Sequence, residues 1–209
     1  MPLAIPGRVV VFDYGEVISR SPSEEDRRRI LAAAGVPADD LWRAYAEGRG
    51  ALDAGLTPVT EYWARIGRSC GVEWDLPTIQ LLWTLDVRGW TVPEPGVVGV
   101  LADLAAGGTR LALLSNASAD YGSGMRFSPV GALFERVFVS GELLLLKPDP
   151  AIFRYVAEAL ATPPEDLVFV DNRAENVAGA ESVGITGHVF TGADRLRTFL
   201  ERIAAEAAS

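Results

Sequence analysis

Four short runs along the chain are apolar without interruption: Val9 to Phe12, Leu111 to Leu114, Val137 to Val139 and Leu167 to Val170. Apolar residues that do not alternate with polar ones mark strands covered on both faces, as in parallel sheets. A fifth run, His188 to Phe190, is weaker. Between the later runs lie segments with helix start and stop signals. Pro95 to Ala106 stops at Gly107-Gly108, and Asp149 stands as N-cap before Pro150, the first position of a helix that continues to Leu160. Arg173 to Val183 and Ala193 to Ala205 fill the remaining intervals. Strand and helix in alternation predict an α/β fold with a doubly wound, mostly parallel Rossmann-like sheet.

From Ser21 to Val92 the rhythm breaks, because the segment reads as helical without a strand. Its helices are predicted at Pro22 to Ala34, Ala38 to Glu47, Pro58 to Ser69 and Leu76 to Asp86. Ser21-Pro22-Ser23-Glu24 reads as a capping box with a proline inside it, and Thr57-Pro58 opens another helix. The expectation is a small α-helical cap inserted after the first strand. Residues 20–91 form that cap, and residues 1–19 and 92–209 form the α/β core domain. Trp42, Tyr45, Tyr62, Trp63, Trp74 and Trp83 are assigned mostly to the cap's own core, with one or two facing a cleft. Gly48-Arg49-Gly50 reads as a flexible loop between two cap helices, with Arg49 free to reach a substrate. "GSGMRF", Gly122 to Phe127, lacks the third glycine of a dinucleotide fingerprint and reads as a loop.

Composition narrows the function classes. With 209 residues, of which 49% are hydrophobic and 22% charged, the chain can bury a core and is not of disordered composition. A net charge of -9 would repel a nucleic-acid backbone, and no strongly basic patch offsets it, the mixed stretch Glu24 to Arg29 reading as a solvated helix face, so no nucleic-acid partner is expected. No apolar run approaches the ~20 residues of a membrane helix. "MPLAIPGR", broken by two prolines, is expected to be neither signal peptide nor anchor. Cys70, the single cysteine, permits no internal disulfide and suits a reducing compartment, so the expected location is cytoplasmic. His188, the single histidine, is read as structural. Nothing in the sequence specifies an oligomeric state.

The chemistry concentrates at strand ends. The first run ends in Asp13, the second in Ser115-Asn116 and the fourth in Asp171-Asn172. In a parallel sheet the carboxyl ends of the strands share one edge, where ligands bind. Lys147, in "KPDP" at the mouth of a helix, adds a cation. The segments "VVVFDYGEVI", "LALLSNAS", "LKPDPAIF" and "VFVDNRAENVAGAESVGI", in that order, resemble the haloacid dehalogenase superfamily. The opening, with the "LSN" and "NVAGA" segments, is most similar to the α-glucose-1-phosphate phosphatases within it.

That resemblance implies an aspartyl-phosphate mechanism with Asp13 as nucleophile. Mg²⁺ would be held by the Asp13 carboxylate, the main-chain carbonyl of Gly15 and the Asp171 carboxylate, in a hard oxygen shell. Ser115 and Lys147 would hold phosphoryl oxygens, and Asn116 would assist by hydrogen bonding. A carboxylate is a poor nucleophile unless its target is neutralised and aligned, which is the work of the metal and the lysine.

Two positions depart from the family's pattern. Gly15 stands where relatives commonly carry the aspartate that protonates the leaving alcohol and activates water, assistance worth ~10²- to 10⁴-fold. Asn172 stands where relatives often have a second metal-site aspartate. Glu16 is a candidate proton relay in their place. The expected activity is Mg-dependent hydrolysis of small phosphomonoesters, sugar phosphates among them, with glycosyl 1-phosphates faster than primary alkyl phosphates. Two alternatives stay open: a non-catalytic or very slow phosphate-ligand binder, and a 2-haloacid dehalogenase, which needs no metal and against which Asp171 argues.

Overall fold

Residues 2–207 are described by the computed structural model, and five strands organise them. These are β1 (Val9–Phe12), β2 (Arg110–Ser115), β3 (Arg136–Val139), β4 (Leu167–Asp171) and β5 (Thr186–Val189). They form one sheet in the order β3-β2-β1-β4-β5, and each pairing is parallel. The expected doubly wound α/β sheet is present. Because the chain leaves β1 toward β2 and β3 and later returns to β4 on the other side, the order reverses at β1. That reversal opens a crevice at the carboxyl end of β1.

Side chains alternate across the sheet and so feed two separate cores. Val10, Phe12, Leu111, Leu113, Val168 and Val170 pack on one face with helices α5 (Pro95–Ala106) and α10 (Ala193–Ala207). Val9, Val11, Ala112, Leu114, Leu167 and Phe169 pack on the other with α8 (Pro150–Ala159) and α9 (Ala174–Glu181). Burial on both faces is why these strands read as unbroken apolar runs. The edge strand β5 is only half-buried and starts two residues before the expected run, at Thr186, which pairs with Val168. Gly187 and His188 in that strand gave little apolar signal.

Between β1 and α5 lie α1 (Glu24–Ala34), α2 (Ala38–Asp53), α3 (Val59–Ser69) and α4 (Leu76–Trp90), which gather their own buried cluster around Leu41, Tyr62, Trp63, Ile66 and Leu82. Cys70 is half-buried. Three local expectations are corrected here. The capping box is formed by Ser23 and Asp26: Asp26 N donates to Ser23 Oγ at 3.1 Å and Ser23 N to the Asp26 carboxylate at 3.2 Å. Pro22 therefore precedes the helix instead of opening it.

The second correction concerns Gly48-Arg49-Gly50, which is no loop: α2 runs through it to Asp53. A Cβ on Gly48 would stand 2.9 Å from the Tyr62 ring, so this glycine permits close helix packing. Third, "GSGMRF" lies largely in α6 (Ala119–Arg126), not in a loop. Its two interior glycines cost about 1 kcal/mol each relative to alanine, but Tyr121 and Met125, four residues apart, bury one face of the helix. Packing overrides propensity there.

Candidate active site

The sheet register brings the sequence-predicted acids together. Phe12 pairs with Leu113 on β2 and Val170 on β4, so the residues that follow, Asp13, Leu114 and Asp171, reach the same level at the edge of three adjacent strands. Asp13 N donates to Val170 O at 2.8 Å, which fixes the start of the loop beyond β1. Asp13 and Ser115 are nearly buried, and Asp171 is fully so.

Lys147 joins the two acids. Its ammonium donates to Asp13 Oδ1 at 2.7 Å, to Asp171 Oδ2 at 2.7 Å and to Leu114 O at 2.9 Å. All three N–H groups are therefore taken, and a phosphoryl oxygen would have to displace one acceptor to reach it. The side chain is 1% exposed, although it is the only lysine in the sequence. Its singularity in a chain otherwise supplied with arginine was a legible signal. Two buried carboxylates share one ammonium, leaving an excess negative charge that favours a cation. Burial raises the Asp13 carboxyl above the ordinary aspartate range, with Lys147 opposing and Asp171 reinforcing the shift.

Asn116, expected on the phosphoryl group, is engaged elsewhere. Its Nδ2 donates to Lys147 O at 2.9 Å and its Oδ1 accepts from Lys147 N at 3.0 Å, a reciprocal pair that sets the backbone from which Lys147 projects. Asp171 is steadied by residues the sequence reading missed: Arg173 N donates to Oδ1 at 2.8 Å and Asn176 Nδ2 to Oδ2 at 3.0 Å. Asn176 lies five residues beyond the acid, in the first turn of α9, a spacing that could have suggested it.

Glu16 lies on the wall of the same cleft with φ of 61°, in the left-handed region. Non-glycine residues there carry about 1–3 kcal/mol of strain and cluster at functional sites. Its Oε2 accepts from Asn172 Nδ2 at 2.8 Å, and its Oε1 from the Ser21 hydroxyl. Gly15 and Asn172 thus flank a carboxylate that neither supplies.

The cleft encloses about 480 Å³ and is lined by Asp13, Gly15, Ser115, Lys147 and Asn172 from the sheet side. From the helical segment come Tyr45, Arg49, Asp53 and Trp90. Arg49 is not free. Its Nε donates to Asp53 at 3.0 and 3.2 Å, and its NH1 donates to Tyr45 Oη at 2.7 Å and approaches Asp86 at 3.5 Å. Burial pushes the Asp53 carboxyl up to about 6, with Arg49 pulling against it. His188 stacks on Phe199 and does not line the cleft, in keeping with a structural reading.

Could this donor set hold magnesium? No group of three or more His, Cys, Asp or Glu side chains placed to hold a metal occurs among the described residues. The Asp13 and Asp171 carboxylates with the Gly15 carbonyl are hard oxygen donors only. Magnesium is held in just that way, by one or two carboxylates with retained waters and substrate oxygens. The residues fit the ion.

A family model described as "Hydrolase: haloacid dehalogenase-like hydrolase" matches residues 8–184. A drimenol cyclase from Aspergillus calidoustus is 42% identical over 71 residues, which is 34% of this chain but only 13% of that protein. A sesquiterpene phosphatase from Aspergillus oryzae is 23% identical over 194 residues, covering 92% of this chain and 89% of its own. An (S)-2-haloacid dehalogenase from a Pseudomonas species is 29% identical over 188 residues, covering 86% and 82%. Among solved structures, an enzyme from Bacteroides thetaiotaomicron in complex with magnesium and inorganic phosphate superposes with a TM-score of 0.70 at 18% identity, over 88% of this chain and 94% of that one. At that identity the likeness is one of fold.

Proposed function

The chain belongs to the haloacid dehalogenase-like hydrolases, and from that premise we propose that it is a magnesium-dependent phosphatase of small phosphomonoesters, with Asp13 as nucleophile. The observation that carries this reading is the single buried Lys147, 2.7 Å from both Asp13 and Asp171. Such an arrangement fixes the nucleophile's orientation and leaves the pair short of one positive charge. Magnesium would be held by Asp13, the Gly15 carbonyl and Asp171, and when bound it supplies positive charge beside the phosphoryl oxygens. The sesquiterpene phosphatase aligned over nearly the whole chain, and the magnesium and phosphate in the structural neighbour, support the same choice.

The residues then act as follows. Asp13 attacks phosphorus, the bond from phosphorus to the leaving oxygen breaks, and an aspartyl-phosphate forms. Gly15 has no proton to give, so the leaving oxygen takes its proton from water. A water molecule next attacks the same phosphorus, and the bond to Asp13 breaks. Inorganic phosphate departs and Asp13 is restored as a carboxylate. Lys147 keeps Asp13 aligned and offsets the charge gathering on the phosphoryl group, and Ser115 binds one of its oxygens. Asn116 positions Lys147. Residues 20–91 act as a cap that closes over the substrate and excludes water.

The alternatives are a haloacid dehalogenase, favoured by the 29% identity to one, and a binder that turns over very slowly or not at all. A screen of phosphomonoesters and 2-haloacids with magnesium, beside an Asp13→Asn control and a chelated sample, separates the three. Phosphate release that needs both Asp13 and magnesium supports the proposal. Halide release unaffected by chelation replaces it with the dehalogenase, and ligand binding without either product replaces it with the binder. Among the described residues no helix is long and apolar enough to cross a membrane; we place the activity in the cytoplasm.

A further inference from the structure

Where the leaving group would lie, the cleft is walled by aromatic rings whose polar tips face one another. Tyr45 Oη donates to Asp86 Oδ1 at 2.8 Å and accepts from Arg49 NH1 and from Trp90 Nε1, the latter at 3.3 Å. Tyr121 Oη donates to Asp86 Oδ2 at 2.9 Å. Asp86, 3% exposed, thus gathers the hydroxyls of two rings behind the wall. Tyr45, Trp90, Tyr121 and Met125 line the cleft, and the polar atoms of the three rings are already engaged, the two hydroxyls by Asp86 and the indole N–H by Tyr45 Oη.

The charges on this side of the cleft are matched or negative: Arg49 and Asp53 line it and Asp86 lies behind the rings. One guanidinium, Arg49, serves two carboxylates, Asp53 and Asp86. A second anionic group on a substrate would therefore meet no unmatched cation here. The remaining lining cation, Arg173, has a side chain 67% exposed and lies two residues past Asp171, at the phosphoryl end. Trp90 also reaches over Gly15: a Cβ built there would stand 3.7 Å from the ring. The space that a catalytic acid would enter is edged by indole carbon.

Resting on the phosphatase reading, we propose that the leaving-group side of this cleft takes an uncharged, apolar group. The substrates are phosphomonoesters of apolar alcohols or phenols, in place of the sugar phosphates suggested by the opening motif. A hydroxyl-rich sugar would surrender its bonds to water and find few partners on ring carbon, whereas an alkyl or aryl group loses nothing polar on entry.

Hexyl phosphate, glucose 6-phosphate and O-phosphoserine all release a primary alcohol, so comparing them isolates recognition from leaving-group chemistry. With the intact protein and magnesium, kcat/KM for hexyl phosphate should exceed the other two by tenfold or more, mostly through KM. Equal values, or a preference for the sugar or amino-acid ester, would overturn this inference while leaving the phosphatase reading in place. If none of the three, nor phenyl phosphate, is hydrolysed, the phosphatase reading falls and takes this inference with it.

Discussion

Asn172 donates its Nδ2 to Glu16 Oε2 at 2.8 Å, joining the two loops that follow β1 and β4. Position 172, where the resemblance suggested a second acid, holds an amide, and a carboxylate stands one hydrogen bond away. Both Glu16 oxygens accept from fixed partners, so its contribution is charge and orientation rather than proton transfer. Glu16→Gln should raise the magnesium concentration needed for half-maximal activity several-fold while changing saturated turnover less than tenfold. A magnesium titration of the two proteins checks this. A loss of 100-fold at saturating magnesium would instead make Glu16 the proton relay.

Replacing Lys147 by methionine leaves the Asp13 and Asp171 carboxylates buried without their shared cation. Removing one partner of a buried ion pair costs about 3–5 kcal/mol, so Lys147→Met should unfold far more easily and show no turnover. Magnesium should restore part of its stability, since an ion can replace the missing charge. Denaturant titrations with and without magnesium give the answer, and a variant as stable as the parent would refute the pairing.

Asp53 gives a pH dependence of known sign. Its carboxyl is raised to about 6 in the fold from an ordinary 3.8, so between those values the folded protein binds more protons than the unfolded chain. Stability contributed by this group is therefore full below about pH 4 and is lost as pH rises through about 6. The stability of the parent relative to Asp53→Asn should fall across that window and level off above it. Unfolding free energies of both proteins from pH 4 to 7 test this, and a difference that grows with pH would contradict it.

Ser140 fastens the helical segment to the sheet: its Oγ donates to Asp53 O at the end of α2, at 2.6 Å, and accepts from Ala117 N at 3.0 Å. Ser140→Ala leaves a buried amide and a carbonyl without this partner, at about 1–3 kcal/mol. The loss should appear as lower stability and as faster amide exchange at the carboxyl end of α2. Unchanged exchange there would show that the contact holds nothing.

Much of this was legible because the relevant signals are local. Unbroken apolar runs identified β1 to β4, and polar residues at their ends marked Asp13, Ser115 and Asp171 as neighbours before any contact was known. Lys147 and Asp171, 24 residues apart, needed the resemblance to be linked, since no spacing rule connects a loop lysine to a strand-end acid. The other side of the cleft was legible only in part: Arg49 and an aromatic or two were expected there, and Arg49 and Tyr45 line it, but their partners were not foreseen. Tyr45, Asp53, Asp86 and Trp90 come from two helices, and which faces of those helices meet the sheet depends on tertiary packing. The backbone around Arg49 was misread for a similar reason: Gly48 and Gly50 suggest a turn until the Tyr62 ring explains the glycine at 48. Asn116, beside Ser115 at the end of β2, was expected on the substrate, and only the register of Lys147 against it revealed a positioning role.

In the proposed reaction Asp13 carries the phosphoryl group. Mixing the protein with magnesium and excess phenyl phosphate, quenching in acid within the first turnover and analysing peptides by mass spectrometry reads that step directly. One phosphoryl group is expected on the peptide containing Asp13, absent in Asp13→Asn and absent when magnesium is chelated. Phosphate released at full rate with no modified peptide, or released by Asp13→Asn, would contradict it.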